Sequence, residues 1–328
     1  MSNTSIEMAD PFSYKSAAEV EGGAVIGRTL IELARERDDI VLIAPDIGRG
    51  PATMPFIEAY PDRYIDTGIA ENNSVSIAAG LAASGYRPFV LGIGAFLAPK
   101  CVEQIRTDIA MNRLPVTLIS AWGGLEMGYF GASHHGLDDI TLLRGTPHLT
   151  IAFAADNAAM GSIMRTGVAD GLPLYIRAPG SVGNDVYSGT PRFERGTANV
   201  LTRGKDVVLI GTGLGTSLCA QAAVVLKDAG VSATVVDLAY LKPFDGDTIC
   251  RLARESGRLV VVEEHNSSAG LASLVAEALG RGGIAARLEA VGLPDDDLAI
   301  AVPRQLLERY GLTAEAIAAK ARALCGRR

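Results

Sequence analysis

The 328-residue chain has no uninterrupted apolar run near the roughly 18 residues that a membrane span requires, so no membrane association is expected. Its opening, MSNTSIEMADPFSYK, lacks the basic start and apolar stretch of a signal peptide and reads as a flexible tail over 1–15. Cysteine is scarce. Cys101, Cys219, Cys250 and Cys325 stand far apart, without a CxxC or nearby paired histidines, which argues against a structural zinc site and a disulfide framework. Buried or incidental thiols of a cytoplasmic protein are the expectation. An excess of positive charge is also missing. Thirty Lys and Arg face 37 Asp and Glu, a net charge of −7, so no nucleic-acid partner is expected.

What is present is enough apolar material for a large core, with 48% hydrophobic and 20% charged residues. Short Val/Ile/Leu runs at 40–44, 88–91, 116–119 and 174–176 alternate with helix-length segments at 22–37, 71–84, 96–111 and 156–168. That alternation predicts a parallel sheet covered by helices on both faces. Residues 178–199 are rich in Gly, Pro, Ser and Asn, as linkers are. A second series follows, with strands at 206–210, 234–236 and 259–262, helices at 214–229, 245–256 and 268–280, and a Thr313-capped helix near the end. The fold class is therefore α/β with two doubly wound parallel-sheet domains: 16–178, a linker at 179–199, and 200–328.

Four places carry candidate chemistry. Gly211-Thr-Gly213-Leu-Gly215 opens a helix after a strand, with Asp237 beyond the next strand, and could cradle a nucleotide phosphate. Thr216 breaks the dinucleotide fingerprint, however, and ordinary strand–helix packing explains the glycines better. Glu71 opens an apolar helix, where alone it would merely complement the helix dipole. His134 and His135 lie in a Gly-flanked loop; they are not spaced to share a metal from one helix face, but either could move a proton near neutral pH. Arg177 ends a strand, a usual position for an anion-binding fork, with an interdomain salt bridge as the alternative.

Read together, the segments DTGIAENNSVSIAAGLAASGYRPFV, AFLAPKCVEQIRTDIAM, GASHHGLDDITLLRGTPHLTI and PLYIRAPG resemble, in order and spacing, the pyrimidine-binding segment of transketolases and deoxyxylulose phosphate synthases. The second half, DVVLIGTGLGTSLCAQAAVVLKDAGVSATVVDLAYLKPFD onward, is similar to the same family's C-terminal domain. The resemblance implies that Glu71 hydrogen-bonds the pyrimidine N1′ of thiamine diphosphate, favouring the tautomer that removes the thiazolium proton. It implies that Phe96 stacks on the aminopyrimidine, that Asp46 lies near the coenzyme, that His134 contacts substrate, and that Arg177 holds a substrate phosphate. The Gly-Asp-Gly run and downstream Asn that hold diphosphate and Mg²⁺ in a full transketolase are absent; Asp245-Gly246-Asp247 lacks the preceding strand. A separate diphosphate-binding subunit is therefore expected, in an α2β2 assembly self-associated through the pyrimidine-binding domain.

The departures fall where substrates differ. Phe130 stands where the family has a donor-reading Asp, and Ser120-Ala121-Trp122 replaces a Thr-His pair. Pro99 and Val102 replace two aromatics, and residues 294–305 lack the usual Arg-Phe-Gly loop. A site built with Trp122, Met127, Tyr129 and Phe130 is less polar than a pentose-phosphate site. The expected activity is transfer of a two-carbon ketol unit from a ketose phosphate to an aldose. Acyl transfer from a 2-oxo acid such as pyruvate is the alternative. A nucleotide-dependent oxidoreductase and a non-catalytic partner-binding subunit are the rivals of another class.

Overall fold

The computed structural model describes residue 8, residues 22–50 and residues 52–326. The tail expected at 1–15 lies outside the described residues except for Met8, which forms an isolated antiparallel bridge with Tyr187.

In the first half, α1 (Gly22–Glu36) leads into β1 (Ile40–Ala44), α2 (Met54–Ala59), β2 (Tyr64–Asp66), α3 (Glu71–Ala83), β3 (Arg87–Ile93), α4 (Gly94–Gln104), β4 (Thr117–Ala121), α5 (Asp139–Leu143), β5 (Thr150–Phe153), α6 (Asn157–Asp170) and β6 (Leu174–Arg177). The second half continues with β7 (Asn199–Thr202), β8 (Val207–Gly211), α7 (Leu214–Asp228), β9 (Ala233–Asp237), β10 (Tyr240–Lys242), α8 (Gly246–Ser256), β11 (Arg258–Asn266), α9 (Leu271–Arg281), β12 (Arg287–Leu293), α10 (Pro303–Arg309) and α11 (Ala314–Leu324). The first sheet has the order β10-β5-β6-β4-β3-β1-β2 and the second β12-β11-β8-β9-β7. Among these strands every pairing is parallel except those of β10 with β5 and β7 with β9.

The central strands are apolar throughout because both faces are covered; all five residues of β1, β4 and β8 are buried. Helix ends follow local chemistry. Asp156 caps α6 by accepting from Ala159 N, Asp245 caps α8 through Thr248 N, and Thr313 caps α11 through Ala316 N. The segment expected as one helix over 96–111 is instead an α-helix to Gln104 followed by a π-turn at Ile105–Ala110. Pro99 removes one amide donor inside that helix, and the wider π-turn adds a second irregularity in its hydrogen-bond ladder.

The two halves are joined more closely than a linker implies. β10 leaves the second half of the chain and completes the edge of the first sheet. Val186 and Tyr187, in the expected linker, are buried, and their amides donate to Asp156 Oδ2 at 2.8 Å each. Tyr187 Oη donates to Asp237 Oδ2 at 2.5 Å, and Thr216 Oγ1 donates to Asp237 Oδ1 at 2.8 Å. Asp237 is fully buried. Both of its oxygens are used inside the junction, so it presents no acid to a ribose. The glycine turn is a packing device: a Cβ on Gly215 would lie 2.2 Å from the carbonyl oxygen of Val262.

Burial pushes Asp237 up to about 7, against the pull of its two hydroxyl donors. A carboxyl raised in the folded state contributes stability below its unfolded pKa and loses it as pH rises toward the folded value. Asp237→Asn removes this titration. Its stability relative to the native chain should rise between pH 4 and pH 7 by roughly 3–4 kcal/mol, then level off. Denaturant midpoints across that range measure it; a constant difference would show that Asp237 ionises normally.

Candidate functional site

The first sheet's parallel strands end together at one edge, where open α/β folds bind ligands. Asp46 follows β1, Glu71 follows β2 as the first residue of α3, and Phe96 lies in the first turn of α4 after β3. The loop from Trp122 to Asp138 follows β4, and Arg177 ends β6.

Four of the expected site residues form one row of contacts. Tyr129 and Phe130 ring centroids are 4.6 Å apart, and Phe130 lies 4.7 Å from the His134 ring. His134 meets Phe96 at 5.0 Å with an interplanar angle of 69°. Lys100 Nζ lies 4.5 Å from the Phe96 ring centroid and donates to Glu71 Oε2 at 3.1 Å. Glu71 is 6% exposed. The row thus runs from exposed aromatics through a histidine to a buried carboxylate. His134 Nδ1 shares a hydrogen bond with Ser133 Oγ at 2.9 Å, while His135 Nε2 lies 3.4 Å from Gly128 O and belongs to the loop's own framework.

Asp46 stands apart from that row. It is exposed, has a left-handed backbone (φ +62°), and its amide donates to Asp66 Oδ1 at 3.2 Å. Among the described residues no group of three or more His, Cys, Asp and Glu could hold a metal ion. Cys101, beside Lys100, is fully buried, and burial pushes its thiol up to about 12, so it is no nucleophile.

Arg177, expected from the resemblance to hold a substrate phosphate, is engaged within the protein itself. The side chain is buried, and the protein takes four of its five N–H donors. Nε donates to Asp139 Oδ2 at 2.9 Å; Nη2 donates to Asp139 Oδ1 and Gly136 O at 2.6 Å each; Nη1 donates to Glu264 O at 2.8 Å. Its guanidinium lies 4.3 Å from the Phe153 ring centroid, and Tyr175 Oη adds a bond to Asp139 Oδ2 at 2.9 Å. Burial is the largest single influence and opposes the charge, but Asp139, Tyr175 and Glu264 together hold Arg177 above its usual value. Burial also pulls nearby His265 down to about 4, although Asp139 lies 3.6 Å away.

The same junction anchors the aromatic loop. Gly124 and Gly136 exchange two backbone bonds of 2.9 Å, closing the loop's neck. Leu125 N donates to Glu264 Oε1 at 2.9 Å. Gly124 has φ +65°, and a Cβ there would overlap the Glu264 carboxylate, so only glycine fits. From the second domain, Ile300 leans on Gly131 beside Phe130.

Lys100, Asp139 and Glu264 are site residues that the sequence reading does not single out. Lys100 carries a local signal, four residues after Phe96 on one helix face. Asp139 and Glu264 carry none, since their partners lie 38 and 139 positions away.

Two family models match the chain: "Transketolase, pyrimidine binding domain" over residues 18–183 and "Transketolase, C-terminal domain" over residues 196–317. The chain is 34% identical, over 88% of its length and 92% of the other's, to a subunit of the apulose-4-phosphate transketolase of Phocaeicola vulgatus. It is 35% identical over 92% of its length to 1-deoxy-D-xylulose-5-phosphate synthase of Symbiobacterium thermophilum, of which it spans only 46%. Among solved structures, one described as "Split gene transketolase, inactive beta4 tetramer" aligns with a TM-score of 0.83 at 34% identity, covering 93% of this chain and 98% of that one. Transketolase from Campylobacter jejuni shares the fold at a TM-score of 0.75 and 17% identity, with this chain covering 46% of it.

Removing one member of a buried, hydrogen-bonded ion pair leaves the other charge unpaired, typically at a cost of about 3–5 kcal/mol. Arg177→Ala should therefore lower the chain's own unfolding free energy by that amount, without any ligand present. Urea unfolding of the purified chain checks it. Unchanged stability, with an effect confined to the KM of a phosphorylated substrate, would restore Arg177 as a phosphate ligand.

Proposed function

This chain belongs to the transketolase family, and we propose that it is one subunit of a split, thiamine-diphosphate-dependent transketolase. It would supply the pyrimidine-binding and C-terminal domains to a separate diphosphate-binding subunit. The observation that carries the reading is the buried Glu71 carboxylate set beside the Phe96 ring, with His134 next in the row. Lys100, an N–H donor, lies over the Phe96 ring and bonds Glu71, so the pair already accepts the two features an aminopyrimidine offers, a ring-stacking group and an N–H. The residues therefore fit the coenzyme's ring. Support for the split also comes from the apulose-4-phosphate transketolase relative, itself one subunit of its enzyme, which matches along nearly its whole length.

When bound, thiamine diphosphate would supply an acidic thiazolium carbon as the nucleophilic centre for the donor. This chain's share is to make that carbon acid ionise and to position the donor. Glu71 shares a proton with the pyrimidine N1′ in a site shielded from water. Phe96 presents a flat face to the ring, and His134 contacts the donor or moves its proton. The partner would hold Mg²⁺ and the diphosphate, and Asp46, just after β1, would lie near the coenzyme. Two copies of each subunit would meet through the pyrimidine-binding domains.

Phe130 and Trp122 cannot read donor hydroxyls as Asp and His do. A site that has lost such partners loses discrimination worth up to a factor of about 10⁴ or more. The donor is then a ketose phosphate other than xylulose 5-phosphate, with apulose 4-phosphate, named for the relative, a natural candidate. Acyl transfer from pyruvate is the second reading, favoured by the synthase relative and by the same missing polar groups.

The chain alone should show no turnover. Adding the diphosphate-binding subunit and Mg²⁺ should restore it, with apulose 4-phosphate or pyruvate exceeding xylulose 5-phosphate in kcat/KM. Full activity of the single chain would sink the split reading. A preference for xylulose 5-phosphate by orders of magnitude would show that Phe130 does not set the donor.

In the reconstituted complex, Glu71→Gln keeps the side chain's shape but loses its acid. Exchange of the thiazolium C2 proton should fall by roughly 10²–10⁴-fold, with a smaller change in coenzyme affinity. NMR in deuterated buffer reads that rate. Unaltered exchange would reduce Glu71 to a helix-dipole partner.

A further inference from the structure

Lys100 occupies both features that define the candidate coenzyme site. Its ammonium bonds Glu71 Oε2 at 3.1 Å and lies 4.5 Å from the centre of the Phe96 ring. The backbone beneath Lys100 is held firmly. Asn72, on α3, donates through Nδ2 to Lys100 O at 2.6 Å and to Gln104 Oε1 at 2.8 Å. One turn further, Ser76 Oγ donates to Asp108 Oδ2 at 2.8 Å. α3 and α4 are thereby stapled together, and Glu71 and Phe96 keep their places. The Lys100 side chain is different: it is 46% exposed, against 8% for the Glu71 side chain, and its four-carbon stem has an open path to water.

We propose that Lys100 is a placeholder for the coenzyme's aminopyrimidine, seated on Glu71 and Phe96 until thiamine diphosphate displaces it. The proposal rests on the reading of Glu71 and Phe96 as the pyrimidine site. An ammonium and an aminopyrimidine compete for the same carboxylate and the same ring face, so the two occupancies exclude each other. Before loading, the ammonium gives Glu71 a counter-charge in a place where an unpaired carboxylate is costly. After loading, Lys100 turns to solvent and no cation remains beside the buried carboxylate. Sharing a proton with the bound ring then relieves the buried charge, which is the state the chemistry requires. Lys100 acts through Glu71, and is a positioning residue.

The test uses the chain reconstituted with its diphosphate-binding subunit and Mg²⁺, with thiamine diphosphate as the probe. Lys100→Met keeps the stem and removes the charge. Binding no longer has to break a half-exposed ion pair and a cation–ring contact, so the coenzyme should bind roughly 5–30-fold more tightly than to the native complex. A second measurement needs no variant of uncertain folding. The ε-methylene NMR signals of Lys100, shielded by the Phe96 ring in the free protein, should move to ordinary lysine positions as the coenzyme saturates. Phe96→Ala controls for the site itself and should weaken binding about tenfold. If Phe96→Ala leaves binding unchanged, the pyrimidine site lies elsewhere and the placeholder falls with it. If Phe96→Ala weakens binding but Lys100→Met weakens it too, Lys100 is a coenzyme ligand and the proposal is overturned. A Lys100 signal that stays shielded at saturation overturns it equally.

Discussion

The bidentate pair between Arg177 and Asp139 is the constraint on which the rest of the active edge depends. Arg177 ends β6, between β5 and β4, and its planar fork points in fixed directions. One arm reaches Asp139 at the start of α5, another the neck of the aromatic loop at Gly136, and a third the backbone of β11 at Glu264. A buried cation is expensive unless it is paired and hydrogen-bonded, and here a carboxylate and two carbonyls accept four of its five N–H groups, with the Phe153 ring beside the guanidinium. That burial is what makes the geometry stiff, because any shift of the loop or of the second domain would break a charge-assisted bond. His134 and Phe130 are carried by the loop so held, and their distance from Phe96 follows from it.

Backbone strain gathers at the same edge. Asp46 and Trp122 are non-glycine residues with left-handed conformations, and each follows the carboxyl end of a parallel strand, β1 and β4 respectively. Such conformations cost on the order of 1–3 kcal/mol each and persist only where the surroundings over-determine them. At Trp122 the surroundings are the doubly bonded Gly124–Gly136 neck and the Glu264 carboxylate. At Asp46 they are the amide's bond to Asp66 and the turn that follows. The edge thus combines stiff hydrogen-bonded supports with exposed apolar side chains: Trp122, Tyr129 and Phe130 on the loop, and Ile300 against Gly131 from the second domain. These side chains come from both domains, which is why the junction matters to the site and not only to stability.

Legibility in the sequence divides along physical lines. Strands β1, β3, β4, β6, β8, β9 and β11 are visible as continuous apolar runs because both of their faces are covered. The edge strands β2, β7 and β12 are not, since their burial is partial and they present no clean period, and the short strands β5 and β10 are missed although mostly or wholly buried. β10 is hidden for a further reason: it joins a sheet built from the other half of the chain, and no local pattern encodes a crossing. Glu71, Phe96 and His134 come from motifs whose order survives in one sequence. Arg177 can be found but its internal partner cannot, because its position at a strand end is equally suited to a ligand and to a buried carboxylate. Only the fold shows that Asp139 arrives first.

On the proposed reading of Glu71, a subunit that carries half of a coenzyme site faces a problem that a single-chain enzyme does not. Its buried carboxylate would have to exist, folded and solvent-poor, before the group proposed to share its proton is present. Three responses are available: leave the acid exposed, let the segment unfold, or pair the acid with a removable internal charge. Glu71 is buried at the start of a thirteen-residue helix, so the first two are not the ones taken. The third needs a cation long enough to reach inward, attached to a backbone that does not move, with a route back to water. Lys100 meets each condition: four methylenes, an anchor through Asn72, and a half-exposed side chain. Arginine would meet them less well, since a second donor fork would bind the carboxylate bidentately and release it less readily. The weakness of a lysine–carboxylate pair at a partly open surface is therefore what suits it to a site that must be held ready and then vacated.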